Sequence, residues 1–256
     1  MTAGPEAEER ARQELMTCFN KKHCFLVSSG KAALTLILLA LKERYPGRDQ
    51  VLMPAFACYS VPSAIVRAGL HIQLCDIDLK TLDYDYDELE KKLNNTKLLC
   101  VLSVHLFGLP ADVERLKQMR PDPAVTIIED AAQAMGGEWQ GKKLGTVADV
   151  GFFSLGRGKA LTAMEGGVII TDDEILAGYL QTQMMQLPAC GIKRSIKYCF
   201  YAFVLFFLLR PELFWIPRAL PFLRLGETHI QPDVPLFRMG ALQAGLLHGV
   251  REKIAQ

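Results

Sequence analysis

Residues 127–134 are Ile-Ile-Glu-Asp-Ala-Ala-Gln-Ala, which predicts a strand that runs into a helix with Asp130 at the junction. Residues 151–159 are Gly-Phe-Phe-Ser-Leu-Gly-Arg-Gly-Lys, which predicts a strand that ends in a glycine-flanked loop carrying Lys159. Outward from these two segments, strand-like and helical patterns alternate along most of the chain. Strands are predicted at 24–27, 50–53, 71–75, 98–104, 125–128, 150–154 and 167–171, and helices at 12–25, 32–41, 60–68, 85–92, 111–118 and 131–135. This alternation predicts an α/β fold with a mostly parallel sheet sandwiched by helices.

The two quoted segments predict one binding site. Ligands of parallel sheets bind beyond the carboxyl ends of the strands, which is where Asp130 and Lys159 are expected. Pyridoxal phosphate requires these two groups from a protein. A lysine forms a Schiff base with its aldehyde, and an aspartate keeps its ring nitrogen protonated. We therefore predict a pyridoxal-phosphate site with Lys159 as the catalytic residue.

A phosphate site is predicted at the first strand-to-helix junction, where Ser29, Gly30 and Lys31 precede an apolar helix. A glycine there lets the backbone approach a phosphate, and the free N–H groups at the helix start point at it. An ordinary turn with Ser29 as the helix N-cap explains the same residues. Lys31 is then either a surface lysine or a second positive charge near the phosphate.

Two further side chains, Gln133 and Ser154, are candidates for contacts with the cofactor. Gln133 lies one predicted helical turn after the junction, on the face from which it could reach the phenolic oxygen of the cofactor. Ser154 precedes Lys159 by five residues and could hold the phosphate. Asp130 could instead serve only as a helix N-cap.

Composition limits the possible classes of protein. The chain has 256 residues, half of them apolar, and a net charge of +1, which makes nucleic acid an unexpected partner. Its seven cysteines are scattered without a Cys-x-x-Cys pair, which argues against a disulfide framework or a metal site and favours a reducing, cytoplasmic location. The polar N-terminal residues 1–12 do not resemble a secretory signal.

One apolar segment interrupts the alternating pattern. Residues 196–209 are apolar nearly all round and follow the basic residues Lys193, Arg194 and Lys197. Fourteen residues are fewer than the ~20 that a helix needs to cross a bilayer. The segment is therefore either a buried core or dimer-interface helix, or a membrane-surface element that extends over 193–217.

The motifs together resemble those of the DegT-type (DegT/StrS) sugar aminotransferases. The resemblance covers residues 25–180 and resumes weakly at 237–247. The matching stretches are Ser-Gly-Lys-Ala-Ala-Leu (29–34), Met-Pro-Ala-Phe-Ala-Cys-Tyr-Ser-Val-Pro-Ser-Ala-Ile (53–65), Cys-Asp-Ile-Asp (75–78), Val-His-Leu-Phe-Gly-Leu-Pro-Ala-Asp (104–112), Glu-Asp-Ala-Ala-Gln-Ala-Met-Gly (129–136), Gly-Lys-Lys-Leu-Gly-Thr-Val-Ala-Asp-Val-Gly-Phe-Phe-Ser (141–154) and Lys-Ala-Leu-Thr-Ala-Met-Glu-Gly-Gly (159–167). The resemblance implies the large domain of the aspartate-aminotransferase fold (fold type I) of pyridoxal-phosphate-dependent transferases.

The resemblance also implies roles for individual residues. Lys159 would bind the cofactor and shuttle the proton, Asp130 would pair with the pyridine nitrogen, and Gln133 with the ring oxygen. Ser154 and the backbone of Gly30 and Lys31 would hold the phosphate. An aromatic residue of the family covers the ring face near Cys58 or Tyr59, so either the thiol of Cys58 or the ring of Tyr59 is expected to do so here.

Several features depart from the family pattern. Lys31 replaces a small hydroxyl residue, and Leu236 replaces an asparagine that reaches the neighbouring phosphate across a dimer. The segment 196–225 is an untypical insertion, and the chain stops at Gln256, where the family passes into a C-terminal domain. The resemblance thus implies a fragment or truncated paralogue with an N-terminal helical segment at 1–24, a cofactor-binding domain at 25–190, an apolar insertion at 191–230 and a helix at 231–256.

The activity implied is amino transfer, with glutamate as donor and a keto-sugar on a nucleotide carrier as acceptor, as in polysaccharide biosynthesis. Retention of lysine at 159 disfavours the dehydratase relatives, which have histidine there. The family implies a cytoplasmic homodimer, here with a possible location at the inner face of the membrane. Two alternatives stay open: a non-catalytic paralogue that acts as a binding or membrane-surface protein, and a pyridoxal-phosphate enzyme with a non-sugar substrate.

Overall fold

A seven-stranded sheet forms the centre of the molecule. The computed structural model describes residues 3–208 and 233–254. Its strands are β1 (His23–Val27), β2 (Gln50–Pro54), β3 (His71–Cys75), β4 (Leu98–Val104), β5 (Thr126–Asp130), β8 (Val150–Ser154) and β9 (Gly167–Thr171), in the spatial order β1-β9-β8-β5-β4-β2-β3. Only β9 is antiparallel to its neighbours β1 and β8. The predicted α/β fold with a mostly parallel sheet is therefore confirmed.

Helices cover both faces of this sheet. They are α1 (Ala3–Phe19), α2 (Gly30–Arg44), α3 (Ser60–Arg67), α4 (Tyr86–Leu93), α5 (Val113–Met119), α6 (Glu174–Gln186), α7 (Ile192–Leu208), α8 (Ala241–Leu246) and α9 (Val250–Ile254). A short antiparallel hairpin of two strands with two residues each, β6 (Glu138–Trp139) and β7 (Lys142–Lys143), lies between β5 and β8 along the chain.

The apolar side chains divide between the two faces as strand alternation requires. Ile128 and Phe152 pack with α2, α3 and α6 on one face, while Ile127 and Phe153 pack on the other. Helix α2 is buried along ten of its positions, which explains why its sequence is apolar nearly all round. The opposite face is covered by α1, α4, α5, α8 and α9.

The predicted helix at 131–135 is wrong. Strand β5 continues to Asp130, and the chain then makes successive turns, in which Ala134 N–H donates to Ala131 C=O and Gly137 N–H to Ala134 C=O. Gly136 has a φ of 92°, a left-handed conformation that stops any helix from propagating. Only five residues separate the strand from this glycine, too few for a stable helix.

Both ends of the described chain pack against the sheet. Helix α1 begins at Ala3, well before the helix predicted at 12–25, and buries Leu15 and Phe19 in the same cluster as Leu247. Residues 231–256, predicted as one helix, hold the two short helices α8 and α9 in their described part. Of the apolar extension predicted at 193–217, residues 209–217 lie outside the described residues. In residues 3–208 and 233–254, no helix has the length and hydropathy to cross a membrane.

Candidate active site

A cavity of about 320 Å³ opens at the carboxyl edge of the sheet, beyond the ends of β1, β4, β5 and β8. All eight residues predicted from the sequence as cofactor contacts line this cavity: Gly30, Lys31, Cys58, Tyr59, Asp130, Gln133, Ser154 and Lys159. They come from segments up to 129 positions apart. The volume lies at the lower end of the range of small-molecule sites, roughly 300–1,000 Å³.

Asp130 forms the floor of the cavity at the end of β5. It lies on the same strand face as Ile128, toward α2, and is only 7% exposed. Its Oδ1 accepts a hydrogen bond from Ala132 N–H at 3.0 Å, as in an N-cap, yet the carboxylate also lines the cavity. Within the described residues it forms no ion pair closer than 4.0 Å.

Burial raises the pKa of Asp130 from 3.8 to about 6, against the lowering effects of the Ala132 hydrogen bond and of the charge of Lys159. The hydrogen bond and the nearby charge therefore do not fully offset the cost of burying the ionised carboxylate. A cation that approached it would restore its ordinary acidity. A protonated ring nitrogen is a group of this kind.

The opposite end of the cavity is suited to an anion. Helix α2 begins there, with Ser29 as N-cap, and the backbone N–H groups at the start of a helix point into the space beyond its N-terminus. Ser154 lies against this helix start so closely that a Cβ on residue 30 would come within 2.8 Å of its Cβ. Only glycine lets the helix N-terminus and the serine hydroxyl share one anion site at this separation.

Cationic side chains outnumber acidic ones among the described residues that line the cavity. Lys31, Arg157 and Lys159 are cationic, and Asp130 is the one carboxylate among these described lining residues. Lys31 Nζ also lies 5.9 Å from the ring centroid of Tyr59. The net positive potential favours a ligand with a doubly negative group such as a phosphate monoester.

Gln133 is held by the loop after β4. Its Oε1 accepts a hydrogen bond from Phe107 N–H at 2.7 Å, and Phe107 adopts a left-handed φ of 56°. Because the amide oxygen is engaged, the NH₂ group is the part of this side chain that can donate to a ligand oxygen. Gln133 reaches the cavity from a turn, not from the helix face that the sequence predicted.

Cys58 and Tyr59 lie together at the wall of the cavity, just before α3. The Ser60 hydroxyl donates to Cys58 Sγ at 3.0 Å. Cys58 and Tyr59, the two residues predicted as candidates for covering the cofactor ring, thus both line the cavity, and Ser60 lines the same wall.

His105 is a cavity residue to which the sequence analysis gave no role. It is 1% exposed at the end of β4, and its Nε2 lies 2.8 Å from Glu129 Oε1. Its Nδ1 accepts from Ala111 N–H at 3.0 Å, so the proton belongs on Nε2, which donates to the carboxylate. The sequence feature that could have indicated this residue is its position, because a histidine directly follows a buried strand of seven residues.

Glu129 fixes this histidine from the side of the strand opposite to Asp130. It is fully buried and accepts hydrogen bonds from the backbone N–H groups of Gly145, Val147 and Ala148 at 2.5–2.9 Å. Burial by itself raises the pKa of Glu129, but the hydrogen bonds from His105 and Ala148 outweigh it and hold the pKa below its usual value. The network ties the ends of β4 and β5 to the segment that leads into β8.

These residues fit pyridoxal phosphate at both of its ends. The buried, undercompensated carboxylate of Asp130 suits a protonated pyridine nitrogen. The helix start at Gly30, packed against Ser154, suits a phosphate. Lys159 lies close enough to Asp130 for its charge to lower the carboxylate's pKa, so an amine and a carboxylate face one ring-sized space.

Comparison with known proteins gives consistent family evidence. The model of the DegT/DnrJ/EryC1/StrS aminotransferase family matches residues 1–202. The chain is 32% identical over 175 residues to GDP-4-keto-6-deoxy-D-mannose 3-dehydratase of Yersinia pseudotuberculosis. The aligned residues are 67% of this chain and 44% of that protein. It is also 38% identical over 173 residues to L-glutamine:2-deoxy-scyllo-inosose aminotransferase of Streptomyces kanamyceticus. Here the aligned residues are 67% of this chain and 39% of that protein.

Solved structures share the fold. Escherichia coli GDP-4-keto-6-deoxy-D-mannose-3-dehydratase with bound hydrated PLP has a TM-score of 0.72 at 20% identity, over 97% of this chain and 60% of that chain. The Helicobacter pylori aminotransferase PseC, involved in the biosynthesis of pseudaminic acid, has a TM-score of 0.72 at 18% identity, over 97% of this chain and 58% of that chain. This chain spans about two fifths of the length of the curated relatives it matches.

Proposed function

The chain belongs to the DegT/DnrJ/EryC1/StrS aminotransferase family, and from this premise we propose that it is a pyridoxal-phosphate-dependent aminotransferase. The proposed donor is glutamate and the proposed acceptor is a keto-sugar on a nucleotide carrier. The observation that carries the proposal is that Lys159 and Asp130, 29 positions apart, line one cavity. Both dehydratases and aminotransferases occur among the relatives, and the lysine at 159 favours amino transfer.

Each end of the cavity contributes a separate task in this proposal. Bound pyridoxal phosphate supplies an aldehyde that condenses with amines and a protonated ring that takes up electrons. Asp130 holds the proton on the ring nitrogen, because its buried carboxylate gains most from a neighbouring positive charge. Ser154 and the N–H groups of Gly30 and Lys31 orient the phosphate.

Lys159 is proposed to hold and move the proton. As a neutral amine, its Nζ accepts a proton from a substrate carbon and returns it at another position, which is general acid–base work. Gln133 donates from its NH₂ group to the ring oxygen. Cys58 or Tyr59 covers one face of the ring and limits access of water.

A homodimer in the cytoplasm completes the proposal. Phe56 and Phe107 are 52% and 68% exposed beside the cavity, with ring centroids 6.3 Å apart, and this apolar patch suits a second subunit. Sedimentation velocity tests it: the double variant Phe56→Ser/Phe107→Ser is expected to be monomeric, whereas Leu79→Ser, at an 84% exposed apolar side chain elsewhere, is expected to stay dimeric.

The test of the function is the first half of the reaction. Protein loaded with pyridoxal phosphate and given L-glutamate, without any acceptor, is expected to release one 2-oxoglutarate per bound cofactor. Lys159→Ala is expected to release none, and the exposed Lys80→Ala serves as the matched control. Cofactor binding without release of 2-oxoglutarate would favour the non-catalytic alternative, for which the exposed apolar face of α7 is the supporting observation.

A further inference from the structure

Helix α7 has two faces of different character. Its inner face is anchored to the domain, because Tyr198 is 3% exposed and its hydroxyl donates to Glu165 Oε2 at 2.6 Å. Arg194 on the same face stacks over the ring of the buried Phe237 at 4.0 Å. The orientation of the helix is thereby fixed relative to the sheet.

The outer face of α7 is apolar and exposed. Ile192, Ile196 and Phe200 follow one another at intervals of four residues, so they share one stripe of the helix, and they are 79%, 64% and 61% exposed. Exposed apolar stripes of this kind mark interaction surfaces.

Basic side chains flank this stripe. Lys193 and Lys197 stand one position after Ile192 and Ile196. No aspartate or glutamate occurs from residue 190 to 211. A symmetric contact between two copies of this face would bring like charges together, whereas an anionic surface would complement them.

We propose that the outer face of α7 seats on an anionic phospholipid bilayer surface. The helix lies in the plane of the interface, with Ile196 and Phe200 in the acyl boundary and the two lysines at the headgroups. Its 17 residues extend about 26 Å, shorter than the ~30 Å hydrocarbon core. This inference does not depend on the proposed amino transfer.

The placement has a consequence for the cavity. Tyr201 on α7 lies 5.9 Å from the guanidinium of Arg157, which lines the cavity two positions before Lys159. Glu165, the partner of Tyr198, belongs to the segment between Lys159 and β9. Docking of α7 therefore holds the mouth of the cavity beside the lipid headgroups.

Vesicle sedimentation tests this proposal with the full chain. The protein is expected to sediment with vesicles of phosphatidylcholine and phosphatidylglycerol, and much less with phosphatidylcholine alone or in high salt. The variants Ile196→Ser/Phe200→Ser and Lys193→Glu/Lys197→Glu are each expected to lower the binding constant at least about tenfold.

Matched control variants test whether vesicle binding depends on the outer face of α7. Leu79→Ser/Met185→Ser removes two exposed apolar side chains elsewhere, and Lys80→Glu/Lys91→Glu reverses two exposed charges elsewhere; both are expected to bind as the parent does. Circular dichroism checks that each variant is folded. The proposal is overturned if the parent does not bind anionic vesicles, if the α7 variants bind them unchanged, or if these variants only abolish self-association.

Discussion

The substitution Asp130→Asn tests two effects of the buried carboxylate: it lowers the stability of the protein without cofactor, and it stabilises the protein with cofactor bound. In the protein without cofactor, burial raises the pKa of Asp130 from 3.8 to about 6. Since one pKa unit corresponds to about 1.36 kcal/mol, the ionised side chain lowers the free energy of unfolding by about 3 kcal/mol at pH 8. Asparagine keeps an oxygen that can accept from Ala132 N–H and removes the charge.

The sign of the pH dependence follows from the raised pKa. Between about pH 4 and pH 6 the folded state binds more protons at Asp130 than the unfolded state, so stability falls as the pH rises through this window. The variant without cofactor is therefore expected to be about 3 kcal/mol more stable than the parent at pH 8, and about 1.5 kcal/mol more stable at pH 5. Saturating pyridoxal phosphate should stabilise the parent more than the variant, because only the carboxylate pairs with a protonated ring nitrogen.

Urea unfolding at fixed protein concentration measures these differences. The exposed Asp87→Asn on α4 is the matched control, with an expected change below about 1 kcal/mol at both pH values. A variant that is less stable than the parent at pH 8, or a difference that does not change with pH, would refute the reasoning.

Two further predictions concern the frame of the cavity. Gly30→Ala places a Cβ within 2.8 Å of Ser154 Cβ, and a fluorescence titration is expected to show cofactor binding weakened at least about tenfold. The control is Gly178→Ala in α6, where the added Cβ meets nothing within 4 Å. This control should leave cofactor binding unchanged and raise the free energy of unfolding by about 0.5–1 kcal/mol. Glu129→Gln sets an NH₂ group against backbone N–H donors and weakens the bond from His105, and thermal or urea unfolding should show a loss of about 3–5 kcal/mol; a loss below about 1 kcal/mol would contradict the buried network described here.

The sheet could be predicted from the sequence because its strands are short apolar runs with clear boundaries. The strands at 71–75, 98–104, 150–154 and 167–171 have the predicted bounds. The reversed direction of β9 was not predicted, since pairing direction depends on contacts with β1 and β8 that are distant along the chain.

The convergence of the site residues could be predicted because parallel strands bring their carboxyl ends to one edge. The local conformation after β5 could not, because Ala131-Ala132-Gln133-Ala134 has helical propensity that the turn at Gly136 overrides. The role of His105 needed the structure as well. Its partner Glu129 is 24 positions away and is recognisable as a buried acceptor only when the loop 145–148 is seen around it.

Covalent trapping tests the central claim most directly. Borohydride reduction of the protein with pyridoxal phosphate, followed by mass spectrometry of its peptides, is expected to find the cofactor on Lys159 alone, and Asp130→Asn is expected to lower the yield at limiting cofactor. Label on Lys31 or on surface lysines in place of Lys159, or no label at all, would contradict the assignment of this cavity.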